Sequence, residues 1–156
     1  MKRQEIKVYW STINLPIFRT AVLVIVSKNT KEILESIPKI YKEIGIDKLH
    51  LEEDLPLFKE DLEEYGEEPY DHTVKLGNRT QDVVMVFDNS CIADVSEETI
   101  VHETHHASHM ICTSRGIDDE ETETYIQEYL FNQMMCKIDE WNKNHKRRKK
   151  HEIDKV

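Results

Sequence analysis

The residues best suited to chemistry lie together in His102-Glu103-Thr104-His105-His106, which satisfies the pattern H-E-x-x-H. Residues four apart on a helix share a face, so His102 and His106 can point both imidazoles at one ion. Neutral imidazole nitrogen suits zinc at about 2.0–2.1 Å, and a catalytic zinc keeps one of its four positions for water. Glu103, one residue on from the first histidine, can take a proton from the activated water without ligating the metal. The pattern therefore predicts a Zn2+ site of His102 and His106 with Glu103 as general base. Zinc hydrolases that attack peptide bonds use this arrangement.

The bland alternative is a polar helix face whose four histidines between 102 and 109 are merely solvated. Apolar Ile100, Val101, Ala107, Met110 and Ile111 interleave with those histidines, which argues for a helix with a packed side and a purposeful one. A third ligand does not follow on the same helix. The extended pattern H-E-x-x-H-x-x-G-x-x-H requires glycine and histidine where this chain has His109 and Cys112. A carboxylate from the next helix is the better source, and spacing alone leaves Glu120, Glu121, Glu123 and Glu128 open. His105 and His109 could form a second ligand pair, but the favoured reading has such a histidine giving its ring N–H to a neighbouring carboxylate. Tyr125 and Tyr129 read as core aromatics with satisfied hydroxyls, with oxyanion stabilisation as the alternative. Cys112 and Cys136 read as packed thiols and Cys91 as a turn residue, none of them on the metal.

The elements that must position this motif are legible in outline. Ile6 to Trp10 alternates like a strand, and Asn14-Leu15-Pro16 reads as a turn. Ala21 to Val26 is a continuous β-branched run, suited to a strand covered on both faces. Asn29 or Thr30 can cap a helix through Ile33, Ile37, Ile40 and Ile44, kinked or restarted at Pro38 and stopped by Gly45. A short acidic helix carries Leu55, Phe58, Leu62 and Tyr65, and Gly66 and Pro69 end it. Two strands are expected at Thr73 to Leu76 and Asp82 to Phe87, joined by a hairpin turn at Gly77-Asn78-Arg79. Ser96 caps the motif helix, with Glu97 and Glu98 in its first turn, and the helix is expected to reach about Cys112. Gly116 breaks it, and Asp118 or Asp119 caps a second helix to about Trp141. From Ala21 onward the order β-α-α-β-β-α-α points to an α+β domain over residues 1–142, followed by a basic, mobile tail over 143–156.

The 156 residues suffice for one domain with a real core. The net charge of −10 divides into about −15 over residues 1–142 and +5 over 143–156. An acidic body disfavours nucleic acid except at the basic stretch Lys146-Arg147-Arg148-Lys149-Lys150. No apolar run is long enough to cross a membrane, and Gln4-Glu5-Ile6-Lys7 stands where a signal peptide would need an apolar region. With three cysteines and no export signal, the expectation is a soluble protein of a reducing cytoplasm.

The stretch from Thr99 to Leu130 resembles small zincin-like proteins encoded by phages and prophages, a group described as candidate metallopeptidases. Thr99-Ile100-Val101-His102-Glu103, His106-Ala107, Gly116-Ile117, Asp119-Glu120-Glu121, Tyr125-Ile126 and Tyr129-Leu130 carry the resemblance. It implies a zincin-like fold, with a small sheet packed on the active-site helix and a glutamate-bearing helix behind it. In the wider gluzincin group the third ligand is the glutamate of E-x-x-A, which implies Glu121, with Thr124 in the alanine position and Glu120 as fallback. The implied activity is zinc-dependent hydrolysis of a peptide or protein, in a host cytoplasm or a virion. The rival from another class is a phage structural or host-interaction protein whose metal only braces two helices.

Overall fold

The computed structural model describes residues 6–76 and 83–155. The expected hairpin turn at Gly77-Asn78-Arg79 lies outside the described residues, as does Asp82. The order is β1 (Tyr9–Leu15), β2 (Thr20–Val26), α1 (Thr30–Ile44), α2 (Lys48–Glu63), β3 (His72–Lys75), β4 (Val83–Phe87), α3 (Glu97–Ser114) and α4 (Glu120–Asp154). This is an α+β fold with one mixed four-stranded sheet, ordered β1-β2-β4-β3. The first strand runs to Leu15 rather than stopping at Trp10. The reversal is a short 3-10 turn at Pro16–Phe18, closed by Arg19 in the left-handed region (φ 49°), whose N–H reaches Pro16 O at 3.1 Å.

All seven residues of β2 and all five of β4 are buried, as strands covered on both faces must be. Their parallel register sets Val22 beside Val83, Val24 beside Met85 and Val26 beside Phe87. These residues and Ile13 face one core, which α3 and α4 close with Ile100, Ala107, Ile111, Ile126, Leu130 and Met134. The alternate set, Leu23, Ile25, Val84 and Val86, faces a second core under α1 and α2, with Ile33, Ile37, Tyr41, Phe58 and Leu62. The two-residue side-chain period of a strand thus divides one sheet between two helical layers. β3 pairs antiparallel with β4 at the sheet edge, with Thr73 beside Met85.

Capping fixes where the helices begin and end. Asn29, Asp47, Ser96 and Asp119 each accept from a backbone N–H three residues on, satisfying donors the helix leaves orphaned. At the end of α3, Ile117 N–H reaches Cys112 O at 2.9 Å and Gly116 N–H reaches Thr113 O at 3.2 Å. That paired closure needs a residue in the left-handed region, which Gly116 supplies at φ 65° without a Cβ penalty. Pro38 lies inside α1, which continues through it to Ile44, so the helix does not restart there. And α4 does not stop near Trp141 but runs 35 residues to Asp154, because lysine, arginine and glutamate are good helix formers and nothing breaks the run.

Candidate metal centre

The motif lies on α3, where the layer below the sheet decides which side chains are buried. Ile100, Glu103, Thr104, Ala107, Ser108 and Ile111 face inward, leaving His102, His105, His106 and His109 outward. Thr104 bonds the carbonyl of Ile100 at 2.7 Å, which satisfies its buried hydroxyl within the helix.

His102 and His106 are brought together as their spacing requires: their Nε2 atoms lie 3.1 Å apart, with rings nearly perpendicular. Two nitrogens each about 2.05 Å from a tetrahedral ion would be about 3.3 Å apart. The pair is therefore near chelating separation, a distance at which one ring's N–H also bonds the other's free nitrogen. His102 keeps 68% of its side chain exposed.

Glu103 is the buried member, at 2% exposure. Its Oε2 accepts from Thr73 Oγ1 at 2.6 Å, and its Oε1 lies 4.0 Å from His102 Nε2. A buried carboxylate is costly without hydrogen bonds, and Thr73 answers part of that cost from the edge strand. One oxygen is fastened by Thr73 and the other is on the side of His102. Beside Thr73, His72 places both ring nitrogens 2.6 Å from acceptors, Asp61 Oδ2 and the carbonyl of Tyr70. Burial works against its charge, but those two bonds, with the charges of Asp61 and Glu103, hold the His72 pKa above its ordinary value.

The glutamates of α4 divide. Glu121 Oε1 accepts from Tyr125 Oη at 3.2 Å, whereas Glu123 crosses to His109 Nδ1 at 3.2 Å. Residues two apart leave a helix about 200° apart, so the two carboxylates point to different sides. His109 thus has the carboxylate partner expected of an accessory histidine. Among the described residues, no three His, Cys, Asp or Glu side chains are gathered tightly enough to hold an ion. His102 and His106 converge, and Glu121 is not gathered with them.

Tyr125 and Tyr129 are not core aromatics: they are 62% and 42% exposed, with their hydroxyls given to Glu121 and to the carbonyl of Asn14. They line one wall of a cavity of about 340 Å³, with Leu15, Ile17 and Phe18 opposite. Cys112 is buried as expected, but Cys136 is exposed, and all three cysteines are free thiols. Sequence reasoning missed Thr73, His72 and Asp61, since contacts 11 to 30 residues apart leave no local periodicity. Comparison of this chain with protein-family models, curated proteins and solved structures finds no match.

Proposed function

We propose that the chain is a zinc-dependent hydrolase of the zincin kind acting on peptide bonds, with His102 and His106 as metal ligands and Glu103 as general base. The observation that carries this reading is the 3.1 Å convergence of the two Nε2 atoms beside a buried, half-fastened carboxylate. The third ligand is a carboxylate from the first turns of α4, Glu121 as the resemblance implies. It would exchange its exposed bond to Tyr125 for the ion.

Zinc held there would lower the pKa of a water to about 7 and polarise the scissile carbonyl. Glu103 Oε1 would be the group to accept a proton from a water held there and to pass it to the leaving amine, while the Thr73 bond to Oε2 restrains the carboxylate. The exposure of His102 favours an open catalytic site over a closed bracing one, in which all ligands would be sheltered.

Metal analysis of the purified chain, paired with digestion of a peptide library, tests the reading. One zinc per chain is expected, lost in His102→Ala, together with cleavage that disappears in Glu103→Gln while the zinc stays. The glutamine is nearly isosteric and can still accept from Thr73, but it cannot take a proton. Cleavage undiminished in Glu103→Gln, or zinc bound equally well by His102→Ala, would overturn the proposal.

A further inference from the structure

Beyond the proposed metal site, one part of the molecule contributes nothing to either core. The last buried residue of α4 is Ile138, and every described residue from Lys143 onward is exposed. Residues 143–154 continue the helix for about 18 Å, at 1.5 Å per residue. Trp141 is partly buried against the core and carries the ring of His145 stacked on it at 4.7 Å, so the helix leaves the body from a fixed base.

We propose that this extension is a nucleic-acid-binding element that grips the phosphate backbone without reading sequence. Lys143, Lys146, Arg147 and Lys150 fall at i, i+3, i+4 and i+7, which makes one continuous basic face; Arg148 and Lys149 flank it. No ion pair among the described residues involves any of these six side chains. Their charge is therefore not spent on the acidic body. That body, at about −15, would repel a polyanion at close range. The Debye length at physiological salt is only about 8 Å, so Lys150, about 10 Å along the extension from Lys143, stands beyond that range, while Lys143, Lys146 and Arg147 stand within it and act through direct phosphate contact.

Other anionic partners fit less well. A helix lying on a membrane surface needs an apolar face, and Lys143 to Glu152 contains no apolar residue. A single exposed helix also matches a major groove about 12 Å wide, whereas it offers no concavity for a folded protein. Arginine and lysine facing one way release condensed counterions from phosphates, and that effect supplies affinity without specificity.

The test is fluorescence anisotropy of the full-length chain with a labelled 20-base-pair DNA duplex, titrated from about 50 to 200 mM salt. Four phosphate contacts predict a log–log salt slope of about −3.6. Replacing Lys143, Lys146, Arg147 and Lys150 by Gln should weaken binding at least tenfold at the lower salt and flatten that slope. Circular dichroism should show unchanged helix, since glutamine is a comparable helix former. A control with the same charge change elsewhere, Lys31, Lys42, Lys48 and Lys59 replaced by Gln, should bind within about twofold of the parent. Equal loss in both variants, or no duplex binding at about 50 mM salt, overturns the proposal. So does binding confined to phosphatidylserine vesicles, or self-association at low salt that the four replacements abolish without any duplex being bound.

Discussion

Glu103 and His72 meet opposite electrostatic problems at the edge strand, the one bonded to Thr73 and the other beside it on β3. The carboxylate is buried and relies on Thr73; the imidazole sets its two ring nitrogens against Asp61 and the carbonyl of Tyr70. A ring whose two nitrogens both face acceptors carries two N–H donors, which is the protonated form. Because the folded-state pKa is raised above the ordinary 6.5, the folded chain holds this proton more tightly than the unfolded chain does. Its stabilisation is full below the unfolded value and is lost as pH rises through the folded one. Urea denaturation in steps upward from about pH 6 should therefore show falling stability, and His72→Gln should remove that part of the fall. An unchanged profile in the variant would mean that the ring is neutral and contributes no linked proton. Thr73, beside it, gives the site a second residue-scale dependence. Replacing it by valine leaves Glu103 Oε2 buried without its donor, at about 1–3 kcal/mol.

At the scale of elements, zinc titration tests which α4 carboxylate, if the proposed site binds zinc, completes it. Glu121→Ala should weaken zinc binding by more than about tenfold, and Glu123→Ala or Glu128→Ala by much less. If Glu123→Ala is instead the damaging change, the carboxylate now on His109 is the ligand and the helix register must be reassigned. How legible these elements were follows from what holds each one. Helix α3 was readable from Ser96, Glu97 and the apolar spacing because its cap and its face are local properties. β2 and β4 were readable because strands buried on both faces become continuous apolar runs. β1 was misplaced because Trp10, Ser11 and Thr12 are all half-buried, so no alternation of buried and exposed residues marks them. Trp10 packs against the second core, and on the Ser11 side Lys137 Nζ donates to Ser11 Oγ at 2.6 Å, a contact across more than 120 residues. The far end of α4 was missed for the opposite reason: an amphipathic pattern marks packed helix, and that end packs against nothing. The His102–His106 pair was legible in full from its spacing. The support of Glu103 by β3 was not, because it depends on how the sheet edge meets α3.

For the molecule as a whole, no helix among the described residues is long and apolar enough to cross a membrane. Its stability should reside in the two cores on either side of the sheet. A chain ending at Trp141 keeps every buried residue among those described and should melt within a few degrees of the full chain by differential scanning calorimetry. A drop of ten degrees or more would place the extension against the body. The sheet order has a further consequence, for how the chain is made. β2 lies between β1, which precedes it, and β4, whose Val83 pairs with Val22 about 60 residues later. At a synthesis rate of about 5–20 residues per second, the inner edge of β2 waits about 3–12 seconds for its neighbour. Throughout that interval a strand apolar from Ala21 to Val26 presents unpaired backbone groups to any other nascent chain. Soluble yield is therefore governed partly by how fast residues 27–82 are translated and by chaperones that shield β2 meanwhile, independently of how stable the finished fold is.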